Sequence, residues 1–234
     1  MAEAESNRGL ERTGYQLRSD GVQETLVPLR SGIHTRGYLP HVKREGAAYF
    51  VTFRLADSLP RAVLLRFEQE RAAQLRSLAD QKPAACGEIN REFQRKIERY
   101  LDSGNGACYL RRSDIAEMVA EALHYKHGSQ YLLDDWVVMP NHVHLIIWPM
   151  PNHTLSEILC SRKRHTARQA NLLLSRTGEA FWQPEAYDHW IRNDEEKTRI
   201  RRYIRNNPVK AGLCSSPEDW PWSSASRRWQ RSAG

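Results

Sequence analysis

Apolar residues alternate or run together in some stretches of this chain and recur every three or four positions in others. "AAYFVTFRLA", Ala47 to Ala56, mixes aromatic and β-branched residues between Gly46 and Pro60 and predicts a strand. "YLLDDWVVM", Tyr131 to Met139, and "HVHLIIW", His142 to Trp148, are strand-like as well. Pro140-Asn141 between them predicts a tight turn and hence a hairpin. Helical spacing marks "RAVLLRFEQERAAQLRSL", with Leu64, Phe67, Arg71 and Leu75. After a break at "DQKPAACG" it returns in "EINREFQRKIERYLD", where Ile89, Phe93, Ile97, Tyr100 and Leu101 share one side. These two helices are expected as a hairpin standing away from the sheet. Three further helices follow: "SDIAEMVAEALHYK" behind Ser113 as N-cap, "SEILCSRKRHTARQANLLL" capped by Thr154 or Ser156, and "DEEKTRIRRYIRNN", which Pro208 follows. "AFWQPEAYDHWIRN" reads as irregular or short-stranded.

Residues 1–36 are polar and without period, and read as a loose leader. The remainder reads as one domain, 37–226, with a helical insertion at about 61–103 and a basic tail, 227–234. The order of elements predicts an α+β domain, an antiparallel sheet with helices mainly on one face. A doubly wound parallel sheet is disfavoured, because no Gly-rich phosphate loop follows any strand.

Charge and composition narrow the partners. The formal net charge is +7. Between Ser161 and Lys210 there are twelve Lys or Arg against six Asp or Glu, so +6 of the +7 lies in this window. Such concentration favours a polyanionic partner. Cys86, Cys108, Cys160 and Cys214 are scattered without a C-x-x-C pair, which suits thiols in a reducing compartment. The N-terminal stretch lacks an apolar signal core and no run approaches a membrane span, so a cytoplasmic protein is expected.

Two patterns carry candidate chemistry. On a strand, His142 and His144 project to the same face while Val143 and Leu145 project to the other. Paired imidazoles are costly to bury without partners, and a shared metal ion is one way to satisfy them. With nine histidines in the chain, an H-x-H alone is a weak signal. His124 and His127 read as solvated residues at a helix end. In "RIRRYIRNNPVKAGL", Tyr203 and Asn207 are four apart and share a helix face. Arg201, Arg202 and Arg205 surround that tyrosine in sequence and are expected to favour its phenolate. The plainer reading is a tyrosine packed with Ile200 and Ile204. Trp182, Trp190, Trp220 and Trp222 are expected mainly in the core, with any exposed one free to stack on bases.

In their order, "WVVMPNHVHLII", "FWQPEAYDHWIRN", "YIRNNPVKAGL" and "DWPWSS" resemble the single-tyrosine HUH transposases of the insertion-sequence 200/605 type, and in particular their domesticated branch, the REP-associated tyrosine transposases. The lead-in "GYLPHVKREGAAYFVTFRL" is similar to that family's first strand, so the likeness covers roughly residues 36 to 226. It implies a ferredoxin-like domain with the histidines on a central strand. It further implies Tyr203 as nucleophile, His142, His144 and Asn207 as ligands of Mg²⁺ or Mn²⁺, and cleavage and rejoining of single-stranded DNA beside a hairpin through a 5′-phosphotyrosine. Arg162, Lys163, Arg164, Arg201, Arg202 and Arg205 are the expected DNA-binding residues, tracking phosphates. No nucleotide cofactor and no membrane are expected, and a homodimer exchanging tyrosine helices is compatible with the sequence. The long 61–103 segment and the leader depart from compact family members, and His189 has no assigned role. Two rivals stand beside this reading. One is a non-catalytic DNA-hairpin binder of the same fold. The other, weaker, is a zinc hydrolase on His142 and His144, which needs a carboxylate base such as Asp134 or Asp135.

Overall fold

The computed structural model describes residues 31–36, 39–44, 46–77 and 83–230. Residues 1–30 of the stretch read as a leader, and 231–234 of the basic tail, lie outside the described residues. The last six residues of the leader stretch are a strand, β1 (Ser31–Arg36), paired antiparallel with β2 (Leu39–Arg44).

The main sheet contains β3 (Tyr49–Arg54), β4 (Tyr131–Val138), β5 (His142–Pro149) and β6 (Tyr187–Trp190). Its order is β4-β5-β3-β6, with every neighbour antiparallel. Taken in chain order as first to fourth, the strands lie fourth, first, third, second, which is the ferredoxin-like arrangement. Between β3 and β4 run α1 (Arg61–Ser77), α2 (Pro83–Asp102) and α3 (Ser113–His124). Between β5 and β6 runs α4 (Leu155–Leu173), and α5 (Asp194–Lys210) and the short α6 (Arg227–Gln230) follow.

Strand alternation sorts the side chains into two layers. Val51, Phe53, Val143, Leu145 and Ile147 join Ile115, Ala116, Val119 and Leu123 of α3 and Ile158 and Ala170 of α4 in the main core. Phe50, Val137 and Ile146 point the other way and meet Ile200, Tyr203 and Ile204 of α5. So α3 and α4 form the helical layer on one face, and α5 crosses the opposite face, on the histidine side. Each fully buried Val, Leu, Ile or Phe in these layers contributes about 1.5–3 kcal/mol of transfer free energy. Trp182 and Trp222 lie in the main core and Trp190 and Trp220 pack against it, as expected.

The α1–α2 pair has its own small core of Leu59, Phe67, Phe93, Ile97 and Leu101. Its far end returns to the sheet. The buried Asn141, in the β4–β5 turn, donates from Nδ2 to the carbonyls of Leu101 at 3.1 Å and Asn105 at 2.9 Å. Gly106 (φ +85°) lets the chain pass directly against Asp57, whose backbone oxygen a Cβ would approach to 3.0 Å.

Helix ends differ in two places from expectation. Arg112, not Ser113, occupies the cap position of α3, and no side chain caps it. Pro208 lies inside α5 and does not end it. Pro208 has no N–H to give the Ile204 carbonyl, and the end of the helix is closed by later amides, Ala211 to the Asn207 carbonyl at 3.0 Å and Leu213 to the Pro208 carbonyl at 2.9 Å. The three residues gained, Pro208 to Lys210, bring Lys210 onto the end of α5. The α4 cap is as read, with Thr154 and Glu157 forming a capping box, and α5 adds a cap that was not read, Asn193, which accepts from the Glu196 amide ahead of Asp194, Glu195 and Glu196 in the first turn.

Candidate metal and tyrosine site

β5 presents His142 and His144 to the α5 side of the sheet, 1% and 0% exposed. Their ring centroids are 4.6 Å apart. Burial, aided by Arg54, pushes His142 down to about 3. Burial, then His142 and Lys210, holds His144 well below the ordinary imidazole range. Both rings are therefore neutral at neutral pH, the state a metal ligand requires.

Hydrogen bonds set which nitrogen is free. Since Asn141 spends its amide N–H groups on two carbonyls, its Oδ1 faces His142 Nδ1 at 2.7 Å and can only accept. His142 Nδ1 then carries the proton and Nε2 keeps its lone pair. Thr52, the cross-strand neighbour of His144, brings Oγ1 within 2.7 Å of His144 Nδ1. That leaves His144 Nε2 for Tyr203, whose Oη is 3.2 Å away.

α5 positions Tyr203 by packing. Its ring meets Phe50 edge-on at 6.0 Å and 86°, and Ile204 beside it is 0% exposed. One turn on, Asn207 is also 0% exposed. The structure thus brings together all four residues read as catalytic or metal-binding: His142, His144, Tyr203 and Asn207.

The charge around the phenol differs from expectation. Residues one and two positions away on a helix do not share its face. Arg201 and Arg205 turn instead to β4, where Arg201 Nε donates at 3.0 Å to both Asp134 oxygens and Arg205 Nε at 2.9 Å to Asp135. What faces Tyr203 is α2. Burial, then the carboxylates of Glu98 and Asp102, hold the phenol well above its ordinary value. Burial and Asp102 in turn push Glu98 up to about 7. Asp102 Oδ1 lies 3.9 Å from His142 Nε2, and its Oδ2 lies 3.6 Å from Lys210 Nζ. Burial raises the Asp102 carboxyl, with Lys210 opposing. Glu98 and Asp102 were not singled out in the sequence, although they stand four apart beside the apolar stripe of α2. Their distance in sequence from the histidines hid them.

Several polar atoms at this point lack a partner. Asp102 Oδ1 and Oδ2, His142 Nε2, and Asn207 Oδ1 and Nδ2 are all buried without a hydrogen bond. Buried polar groups are normally satisfied, so neighbouring orphans that are mostly lone-pair donors fit a cation. Two imidazoles with an amide oxygen suit a divalent transition ion or Mg²⁺. Among the described residues no three His, Cys, Asp or Glu side chains already stand as a cage.

The expected DNA contacts do not form one surface. Lys163 is drawn inward, its Nζ donating to the carbonyls of Gln183 at 2.6 Å and Pro184 at 2.8 Å, and burial lowers it to about 8. Arg162 lies over the Tyr125 ring at 5.4 Å. Arg164 and Arg202 are exposed, and Arg164 borders a cleft with His165 and Arg168. His189 pairs with Glu196 at 2.9 Å and so braces β6 against α5. Asp134 and Asp135, the bases a zinc hydrolase would need, are engaged by Arg201 and Arg205.

Residues 110–207 match the family model described as "Transposase IS200 like". The match includes His142, His144, Tyr203 and Asn207 and leaves out α1 and α2. Among individual proteins, the REP-associated tyrosine transposase of Escherichia coli (strain K12) is 32% identical over 102 residues, 44% of this chain and 59% of that protein. The chain thus spans a little over half the length of this curated relative. A solved structure of a REP-associated tyrosine transposase bound to a REP hairpin is 21% identical, with 82% of this chain and 81% of that chain covered and a TM-score of 0.44. Among the described residues, no helix is long and apolar enough to cross a membrane.

Proposed function

We propose that this chain is a divalent-metal-dependent transposase that cleaves and rejoins single-stranded DNA beside a hairpin in the cytoplasm. The observation that carries the reading is the 3.2 Å approach of Tyr203 Oη to His144 Nε2, with Asn207 one turn on. Tyr203 Oη attacks phosphorus. An oxygen–phosphorus bond to tyrosine forms as the bond to the sugar 3′ oxygen breaks, leaving a 5′-phosphotyrosine and a free 3′-OH. Glu98, which interacts with the phenol, takes its proton, and the 3′ oxygen gains one from solvent. One phosphodiester replaces another, so no nucleotide triphosphate is needed, and the reverse attack by a 3′-OH rejoins the strands.

A divalent ion held by His142, His144 and Asn207, Mg²⁺ or Mn²⁺, would polarise the phosphate and offset charge on the leaving oxygen. Arg164 and Arg202 are the exposed candidates for phosphate contact, and Arg162 and Lys163 serve the same helix less directly. Because Tyr203 reaches His144 within one chain, the reading needs no exchange of helices in a homodimer.

The test is incubation with single-stranded hairpin DNA labelled at either end. With Mn²⁺, a 3′ label is expected on the denatured protein and a 5′ label on a free fragment ending in 3′-OH. Chelation should abolish both. Hairpin binding with no adduct under any divalent ion would leave only a DNA-binding role.

A further inference from the structure

Asp102 ends α2 one turn beyond Glu98 and takes no part in the proton transfer assigned to Glu98. We propose that Asp102, delivered by the 61–103 helical segment, is an additional ligand of the divalent ion, an inference that rests on the proposed His142, His144 and Asn207 site. Neither Asp102 oxygen has a partner within 3.5 Å, although the side chain is only 12% exposed and Lys210 and Asn207 stand near enough to oppose the rise that burial imposes on its carboxyl. His142 Nε2 faces it at 3.9 Å, equally without a partner. That gap is too long for a hydrogen bond. It suits two donors on one ion: at metal–oxygen and metal–nitrogen distances of about 2.1 Å, cis donors lie about 3 Å apart and trans donors about 4 Å.

Asn207, 0% exposed with both amide atoms unpartnered, is the third group at the same point. Lys210 offers the alternative account, an ion pair, but its Nζ stays 3.6 Å from Oδ2, well beyond a charge-assisted hydrogen bond. A cavity of about 230 Å³ lined by Asp102, His142, Arg111 and Pro140 opens beside the pair, so an ion and a phosphate have a way in. A second hard oxygen donor beside two imidazoles would bias the site toward Mn²⁺ and Mg²⁺. Asp102 lies outside the segment shared with the transposase family model, residues 110–207.

The experiment is Mn²⁺ titration of the full chain by calorimetry, without DNA, for wild type, Asp102→Asn, Asp102→Ser, Lys210→Met and the double variant His142→Ala/His144→Ala. Both Asp102 variants are expected to lose at least tenfold in Mn²⁺ affinity and most of the Mn²⁺-induced rise in Tm. Their metal-free Tm should stay close to wild type, because the ion pair that is lost is long and its Lys210 partner is exposed. Lys210→Met should bind Mn²⁺ at least as well as wild type. Wild-type affinity in both Asp102 variants, or an equal loss in Lys210→Met, overturns the inference while leaving the three-ligand site standing. Mn²⁺ binding that survives loss of both histidines, or is absent from wild type, overturns the underlying site along with it.

Discussion

Tyr203 Oη sits 3.2 Å from His144 Nε2, a contact between residues 59 positions apart on elements that share no local pattern. It exists because α5 packs Ile204 and the Tyr203 ring onto the face of the sheet where β5 turns its imidazoles. From this geometry the following outcomes are expected.

Tyr203→Phe should abolish the covalent DNA adduct and leave hairpin affinity within a few-fold of wild type. The ring keeps its edge-on contact with Phe50, so only the hydroxyl's hydrogen bond is lost, about 1 kcal/mol. Denaturing electrophoresis and chemical unfolding check the two halves of this expectation.

Glu98→Gln should change the pH dependence of stability. The carboxyl of Glu98 titrates at about 7 in the folded chain against an ordinary 4.5. Between those values the folded state holds the proton that the unfolded state has released, so stability falls as pH rises through the window. In EDTA, wild type should therefore lose more Tm than Glu98→Gln between pH 5 and pH 8. Parallel profiles would show that the carboxyl is not perturbed.

A double-mutant cycle of Arg201→Ala and Asp134→Ala should give a coupling of about 1 kcal/mol, in the upper range for a partly exposed pair with two-point geometry. Asp134 is largely buried while Arg201 stays 43% exposed, which screens the interaction. If Arg201 instead serves DNA alone, urea denaturation will show no coupling and the variant will change only the salt dependence of DNA binding.

Ile204→Ala should cost about 2–4 kcal/mol and reduce adduct formation more than hairpin binding, since Ile204 is 0% exposed and sets the depth at which α5 sits. Adduct yield and Tm, measured on the same preparation, separate a displaced tyrosine from a globally unfolded chain.

Much of this was legible in the residues. The alternation in His142–Trp148, with a valine between two histidines, already assigns the imidazoles to one face. The four-residue spacing of Tyr203 and Asn207 already assigns them to one side of a helix. Turn chemistry at Pro140-Asn141 indicated the hairpin, though not that Asn141 would also hold the tautomer of His142 and tie down the end of α2. The arginines that flank Tyr203 in sequence do not flank it in space. A helix turns about 100° per residue, so Arg201 and Arg205 reach Asp134 and Asp135, not the phenol.

By itself, then, the sequence determined what period-two and period-3.6 patterns can encode: the strands, the helices, and which side chains share a face within each. Only the tertiary structure decided which faces meet. It set α5 across the imidazoles, spent Arg201 and Arg205 on docking that helix, and brought Glu98 and Asp102 from the distant α2 to the phenol. The physical reason is that local periodicity is a property of one element, whereas a site made of buried, mutually unsatisfied polar groups depends on burial and contacts between elements far apart in the chain.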